Sequence, residues 1–237
     1  NFYAYLRLIA PHVRPEDIQI PMPLRQARLG VEFELPTALS FFTLPGIHGV
    51  IFVDEITNLP SPVHASFYYS LILEKELGLG NKLSDNVKVV AAGNPAAWSQ
   101  AAGLAGRMPE PLVNRMVVFY IEPPTVEEWL RYMEETGRLN PYVATFLITR
   151  PGRLLAGLGE VQQIRELSAR EGRPYNFPTP RSWTMLSEML NKMEDLIERA
   201  RGTGNEAEQA RRMLQAVVYG AVGPITGREF YTFLIVP

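Results

Sequence analysis

Apolar positions change their spacing along this chain, and the change divides it in two. Tyr3–Ile9 is apolar-rich and closed by Pro11, which predicts a short strand. Pro15, Pro21 and Pro23 then predict irregular structure. Val31 to Leu35 reads Val-Glu-Phe-Glu-Leu, the alternation of a short exposed strand. Gly49 to Val53 is a continuous apolar run, the pattern of a buried parallel strand. Val63, Phe67, Leu71 and Ile72 recur at helical spacing after Pro62, predicting a helix to about Leu77, stopped by Gly78, Gly80 and Asn81. Val87 to Ala92 predicts a second buried strand, and Met116 to Ile121 a third, ended by Pro123 and Pro124.

Beyond Pro124 the spacing is helical. Thr125 suits an N-cap, with Glu127 and Glu128 in the first turn. A helix carrying Trp129 and Met133 is expected there. Others are expected near Tyr142–Leu147, Val161–Glu171, Ser182–Ala200 and Glu206–Val218. Strands alternating with helices predict an α/β fold with a parallel sheet. The reading is an α/β domain over 1–124 and an all-helical domain over 125–237.

Composition narrows the chemistry. The 237 residues, 46% hydrophobic and 20% charged, suffice for one sizeable core or two smaller ones. A formal net charge of -2 gives no global basic field for nucleic acid. Arg25, Arg28 and the pair Arg211-Arg212 read as solvated loop and helix charges before they read as a phosphate-binding patch. The absence of cysteine excludes disulfides, thiolate metal sites and a cysteine nucleophile, and fits a cytoplasmic protein. No apolar run approaches the roughly 20 residues of a membrane helix, so no membrane partner is expected. His12, His48 and His64 show no metal-ligand spacing. The opening residues Asn1 to Arg14 lack a signal-peptide pattern, and a first residue other than Met is read as a sign of upstream sequence.

In open parallel sheets ligands bind beyond the carboxyl ends of the strands, so the residues there carry the candidate chemistry. Asp54 and Glu55 follow the run Val50–Val53. Adjacent carboxylates suit phosphoryl transfer, one holding Mg²⁺ and the next polarising the attacking water. A strand that simply ends in solvated acids is the other reading. Asn94 follows the second strand within Gly93-Asn94-Pro95, placed to bind a terminal phosphate or orient a water, or to make a turn. Arg115 precedes the third run and suits an arginine finger acting in trans, or a surface cap. Arg181 lies in the first turn of a helix opened by Pro180, where a cation opposes the helix dipole. It suits a phosphate contact from the lid side, or stacking on Trp183 or Phe177. Phe41-Phe42 read as packing under their own loop rather than as a grip on a translocating chain.

The order of these features resembles an AAA+ ATPase. Gly-Val-Ile-Phe-Val-Asp54-Glu55-Ile-Thr-Asn-Leu resembles a Walker B segment, and Val-Lys-Val-Val-Ala-Ala-Gly-Asn94-Pro a sensor 1 strand. Pro-Leu-Val-Asn-Arg115 resembles an arginine-finger segment, and Pro-Thr-Pro-Arg181-Ser-Trp the sensor 2 motif of a lid. The Asn-Pro and Pro-x-Pro-Arg forms look most like the MoxR-like branch, and the resemblance runs from about Tyr3 to Leu234. It implies a P-loop NTPase-like parallel sheet followed by a helical lid, and an ATP hydrolase using ATP and Mg²⁺. It further implies that Asp54 serves Mg²⁺ and Glu55 activates water. Asn94 would position that water or read the terminal phosphate, Arg115 would act on a neighbour's ATP, and Arg181 would couple the lid to nucleotide state. Members usually form hexameric rings that remodel or activate partner proteins, and MoxR-like members often work beside a protein with a von Willebrand A-type domain.

The P-loop signature Gly-x-x-x-x-Gly-Lys-[Ser/Thr] does not occur in the sequence. The glycines at 78 and 80 and those at 220, 223 and 227 read as loop or cap positions. Two expectations follow from the resemblance. In the first, upstream sequence supplies both the phosphate cradle and the family's first strand, which would lie between the sensor 1 strand and the strand predicted at 116–121. In the second, the chain is a non-catalytic subunit that lends Arg115 to an active neighbour. A DNA-related motor is the least favoured reading.

Overall fold

The computed structural model describes residues 3–18, 20–23, 31–78, 80–95 and 110–236. The chain divides into two compact units, Asn1–Phe119 and Tyr120–Pro237.

The first unit is built on a parallel sheet of β1 (Tyr3–Ile9), β4 (His48–Asp54) and β5 (Val87–Ala91), in the order β1-β4-β5. Neighbouring residues in register share a face, and successive residues alternate faces. Leu6 therefore stands beside Ile51 and Leu8 beside Val53. Leu8, Ile51 and Val53 are buried, and they join Leu39, Phe42, Ile56, Tyr68, Leu71 and Leu77 in one core. Fully burying side chains of this size contributes about 1.5–3 kcal/mol each. The opposite face carries Tyr5, Arg7, Phe52 and Asp54. Gly49 permits the close approach of β1 and β4: a Cβ there would sit 2.7 Å from the carbonyl oxygen of Ala4 and 3.0 Å from the Phe42 ring.

The structure corrects several sequence expectations in this unit. The stretch read as irregular contains β2 (Ile20–Pro23), paired antiparallel with β3 (Val31–Glu34). Each strand of a two-stranded ribbon is an edge, and an edge tolerates a proline that cannot donate to the ladder. The helix from Pro62 is regular to Tyr69 and widens to a π-helical turn over Ser70–Glu74. It stops at Lys75, in the left-handed region at φ 52°, short of Leu77. Leu77 is buried nonetheless, delivered by a turn in which its N–H donates to Asn81 O at 2.8 Å.

Residues 116–121 form no strand. Val117, Phe119, Tyr120 and Ile121 are 80–93% exposed, and a short helix, Glu110–Val113, precedes them. An apolar run becomes a parallel strand only against a neighbour that completes its hydrogen-bond ladder. None of the described strands flanks it, and β5 is an edge among the described residues.

The second unit is wholly helical. Helices Val126–Glu135, Pro141–Thr149, Pro180–Asn191, Glu194–Arg201, Asn205–Val222 and Pro224–Ile235 enclose one core, and a seventh, Leu158–Glu171, buries Val161 and Ile164 outside it. The ring centroids of Phe146, Trp183 and Phe230 lie 5.0–5.7 Å apart at its centre. The single helix expected over 182–200 is two, broken at Lys192-Met193. Pro224–Ile235 was not anticipated, because Pro224 and Gly227 obscure its period. Of the glycines read as loop or cap positions, Gly223 is the joint between two helices at φ 80°, whereas Gly220 and Gly227 lie inside them. No described helix is long and apolar enough to cross a membrane.

Candidate functional site

The carboxyl ends of β4 and β5 bring three of the predicted residues together. β4 ends at Asp54, which lies beside Ile9, the last residue of β1. Glu55 turns the chain out of the sheet in the left-handed region, at φ 58° and ψ 33°. A non-glycine residue there is uncommon and invites a functional reading. The turn directs the Glu55 N–H onto Asp54 Oδ1 at 3.0 Å. Its carboxylate faces Asn94, whose Nδ2 donates to Glu55 Oε2 at 3.4 Å. The two residues are 39 positions apart in sequence.

That juxtaposition is fixed from below. Ala92 N donates to Val53 O at 2.8 Å and Ile56 N to Ala92 O at 2.9 Å, so the chain leaving β4 stays bonded to the chain leaving β5. Thr57 Oγ1 accepts from Asn94 N at 3.0 Å. Gly93 is the only residue type that fits the approach, since a Cβ there would sit 2.7 Å from Thr57 Cγ2 and 2.8 Å from Thr57 Oγ1.

Two partners were not anticipated. Asn58, one short 3₁₀ turn after Glu55, donates from Nδ2 to Glu55 Oε2 at 2.5 Å. Its own Oδ1 is buried with no hydrogen-bond partner among the described residues. The signal in the sequence was a polar residue three positions after the acid pair, a spacing that brings side chains together on a helical turn. Arg7 donates to Asp54 Oδ2 from Nε at 3.2 Å and from a terminal nitrogen at 2.5 Å. This partner follows from register: Arg7 is level with Phe52, so Asp54 lies diagonally ahead of it on the same face. The hydrogen bond from Arg7 to Asp54, then their Coulombic attraction, raises the Arg7 pKa.

The remaining predicted residues stand outside this group. Arg115 lies on the turn after helix Glu110–Val113, exposed, its N–H bonded to Leu112 O at 3.2 Å. Arg181 is exposed at the second position of helix Pro180–Asn191, in the second unit. Trp183 is buried and its indole N–H donates to Arg153 O at 2.7 Å. Phe42 packs under its own loop, while Phe41 meets its ring edge-on from the surface. Arg25 and Arg28 lie outside the described residues. Arg211 is committed to a helix end, donating to Ala200 O and Gly202 O at 2.8 Å each, and Arg212 pairs with Glu208 at 3.0 Å.

The sheet edge offers two carboxylates, the ligand type of a hard cation, and no group of three or more His, Cys, Asp or Glu residues able to hold a metal occurs among the described residues. Mg²⁺ commonly takes one or two carboxylates while keeping several waters. Among the described residues Asp54 Oδ1 accepts only the Glu55 N–H, which leaves it room for a further ligand. Oδ2 is occupied by Arg7. A cradle for nucleotide phosphates is not found among the described residues of this site.

No family model and no curated protein matches the chain. Among solved structures it is similar to a RuvB mutant of Thermotoga maritima, at 15% identity and a TM-score of 0.40, covering 89% of this chain and 53% of that one. It is also similar to NtrX from Brucella abortus, crystallised with ADP, at 16% identity and a TM-score of 0.36, covering 97% of this chain and 50% of that one. The chain thus spans about half the length of each of these structures. Likeness at this level says nothing about chemistry.

Proposed function

We propose that this chain is an AAA+-type ATPase of the MoxR-like kind, and that its sheet edge carries the water-activating half of the ATPase centre. The observation that carries the reading is the Glu55 carboxylate, turned out of β4 by a left-handed residue and engaged by Asn94 from the end of β5. A solvated strand end needs neither feature. In this reading Glu55 takes the proton of the attacking water, a role worth about 10²–10⁴-fold in rate. Asn94 fixes the direction of that carboxylate and of the water. Asp54 would hold Mg²⁺, which when bound would supply positive charge against the transferring phosphate. Arg115, exposed and outside the group, suits a role at a neighbouring subunit's nucleotide. Arg181, exposed at a helix start, suits a contact from the lid. Assembly into a hexameric ring, work on a protein client such as one with a von Willebrand A-type domain, and a cytoplasmic location belong to the same proposal.

The test is ATP turnover by the full-length protein and its Asn94→Ala variant. Turnover should fall at least about tenfold with ATP binding intact, the loss expected when a residue that orients a reacting group is removed. Unchanged turnover would remove Asn94 from the mechanism.

One observation favours a second reading, a subunit that binds a neighbour without hydrolysing ATP itself. Arg7 already balances the Asp54 charge. In that case a ring of this protein alone would show no ATPase activity, and a mixed ring would lose activity on Arg115→Ala.

A further inference from the structure

The Arg7–Asp54 pair is unusual in its geometry. An arginine and a carboxylate commonly meet fork to fork, two nitrogens on two oxygens. Here both nitrogens converge on Oδ2. The reason lies in the next residue: the left-handed turn at Glu55 directs its N–H onto Oδ1, so only Oδ2 is left for Arg7. Two donors fill the two lone pairs of Oδ2, and Oδ1 retains one site.

The pair is also poorly placed to stabilise the fold. The Arg7 side chain is 55% exposed and that of Asp54 23%. Exposed ion pairs contribute little, about 0–1 kcal/mol, because water screens them. The core lies on the other face of the sheet, behind Leu8, Ile51 and Val53. Arg7 is thus a cation held by the carboxylate to which the proposed function assigns the metal.

We infer that Arg7 is a built-in counter-cation that competes with the divalent metal for Asp54. With Arg7 seated, Asp54 offers one lone pair and sits beside a positive charge that repels a second cation. When the long arginine side chain swings off the sheet face, Asp54 regains both oxygens. Arg7 is accordingly a positioning residue: it acts on metal occupancy through Asp54 and touches no reacting atom. The inference rests on the reading of Asp54 as the cation-holding residue.

The experiment is titration of the full chain with Mn²⁺ alone, followed by electron paramagnetic resonance of the free ion. The unchanged chain is compared with Arg7→Gln, Arg7→Met, Asp54→Asn and the double variant Arg7→Gln/Asp54→Asn. Both Arg7 variants should bind Mn²⁺ roughly tenfold more tightly, the scale of one nearby unit charge acting on a divalent ion in water, and the double variant should lose that gain. Equal or weaker binding by folded Arg7→Gln and Arg7→Met would overturn the inference. So would unfolding of both variants, seen by circular dichroism, because the pair would then be a requirement of the fold. If Arg7→Gln tightens binding but Asp54→Asn does not reverse it, the reading of Asp54 itself fails. If Asp54→Asn weakens binding while the Arg7 variants change nothing, only the competition fails.

Discussion

Gly93 has no room for a side chain, and this makes it the most exacting position in the site. A Cβ would press on Thr57, whose hydroxyl accepts from the Asn94 N–H. Gly93→Ala should therefore destabilise the first unit by about 1–3 kcal/mol, the range for overpacking a tight contact, as read from urea unfolding. It should also displace Asn94 from Glu55. An alanine variant of unchanged stability would show that the two loops separate easily. At this scale the sequence was informative about acids and amides that end strands. Asp54, Glu55 and Asn94 were legible because an apolar run must deliver whatever follows it to the sheet edge. Arg7 was not, since its partner is set by strand register, which periodicity leaves open. Asn58 was obscured because its role depends on the left-handed turn at Glu55.

Among the elements, the N-cap at Thr125 was legible and the long-range partners were not. Thr125 and Glu128 form a reciprocal capping box: the Thr125 hydroxyl accepts from Glu128 N at 3.2 Å, and Glu128 Oε2 accepts from Thr125 N at 2.8 Å. The backbone hydrogen bond from Thr125, then the one from its hydroxyl, holds the Glu128 carboxyl below its ordinary value of 4.5. A depressed acid stabilises the folded state fully above its unfolded pKa and loses that contribution as pH falls through the folded one. The cap should thus be intact at neutral pH and weaken only below the usual glutamate range. A carbon-13 titration of Glu128 checks this, and a midpoint at or above 4.5 would contradict it.

Ser187 was not anticipated. It is fully buried, donating to Arg138 O at 2.8 Å and accepting from Asn140 N at 2.7 Å. Ser187→Ala strands the Asn140 N–H, while Arg138 O keeps a donor in Asn191 Nδ2 at 3.3 Å, and should cost about 1–3 kcal/mol in the second unit, measured by thermal or urea unfolding. The run at 116–121 misled for a physical reason. Its composition is that of a buried strand, but a strand exists only as one side of a ladder, and no described element supplies the other side.

For the molecule as a whole, each unit has its own core, and neither core cluster draws residues from the other unit. Residues 120–237 produced alone should fold, with a helical circular dichroism spectrum and a cooperative thermal transition. A non-cooperative fragment would mean that the second core depends on the first. The hydrophobic spacing changes near Pro124 because helices and parallel strands bury different periods of the chain. The sheet edge presents carboxylates and an amide, and a group that would cradle phosphates is not among the described residues.

The central claim is that Glu55 activates water for ATP hydrolysis, and Glu55→Gln in the full-length protein tests it most directly. The variant keeps the size and hydrogen-bonding reach of the side chain but loses the base. It should bind ATP as the unchanged protein does and hydrolyse it roughly 10²–10⁴-fold more slowly. Hydrolysis at the unchanged rate would contradict the account.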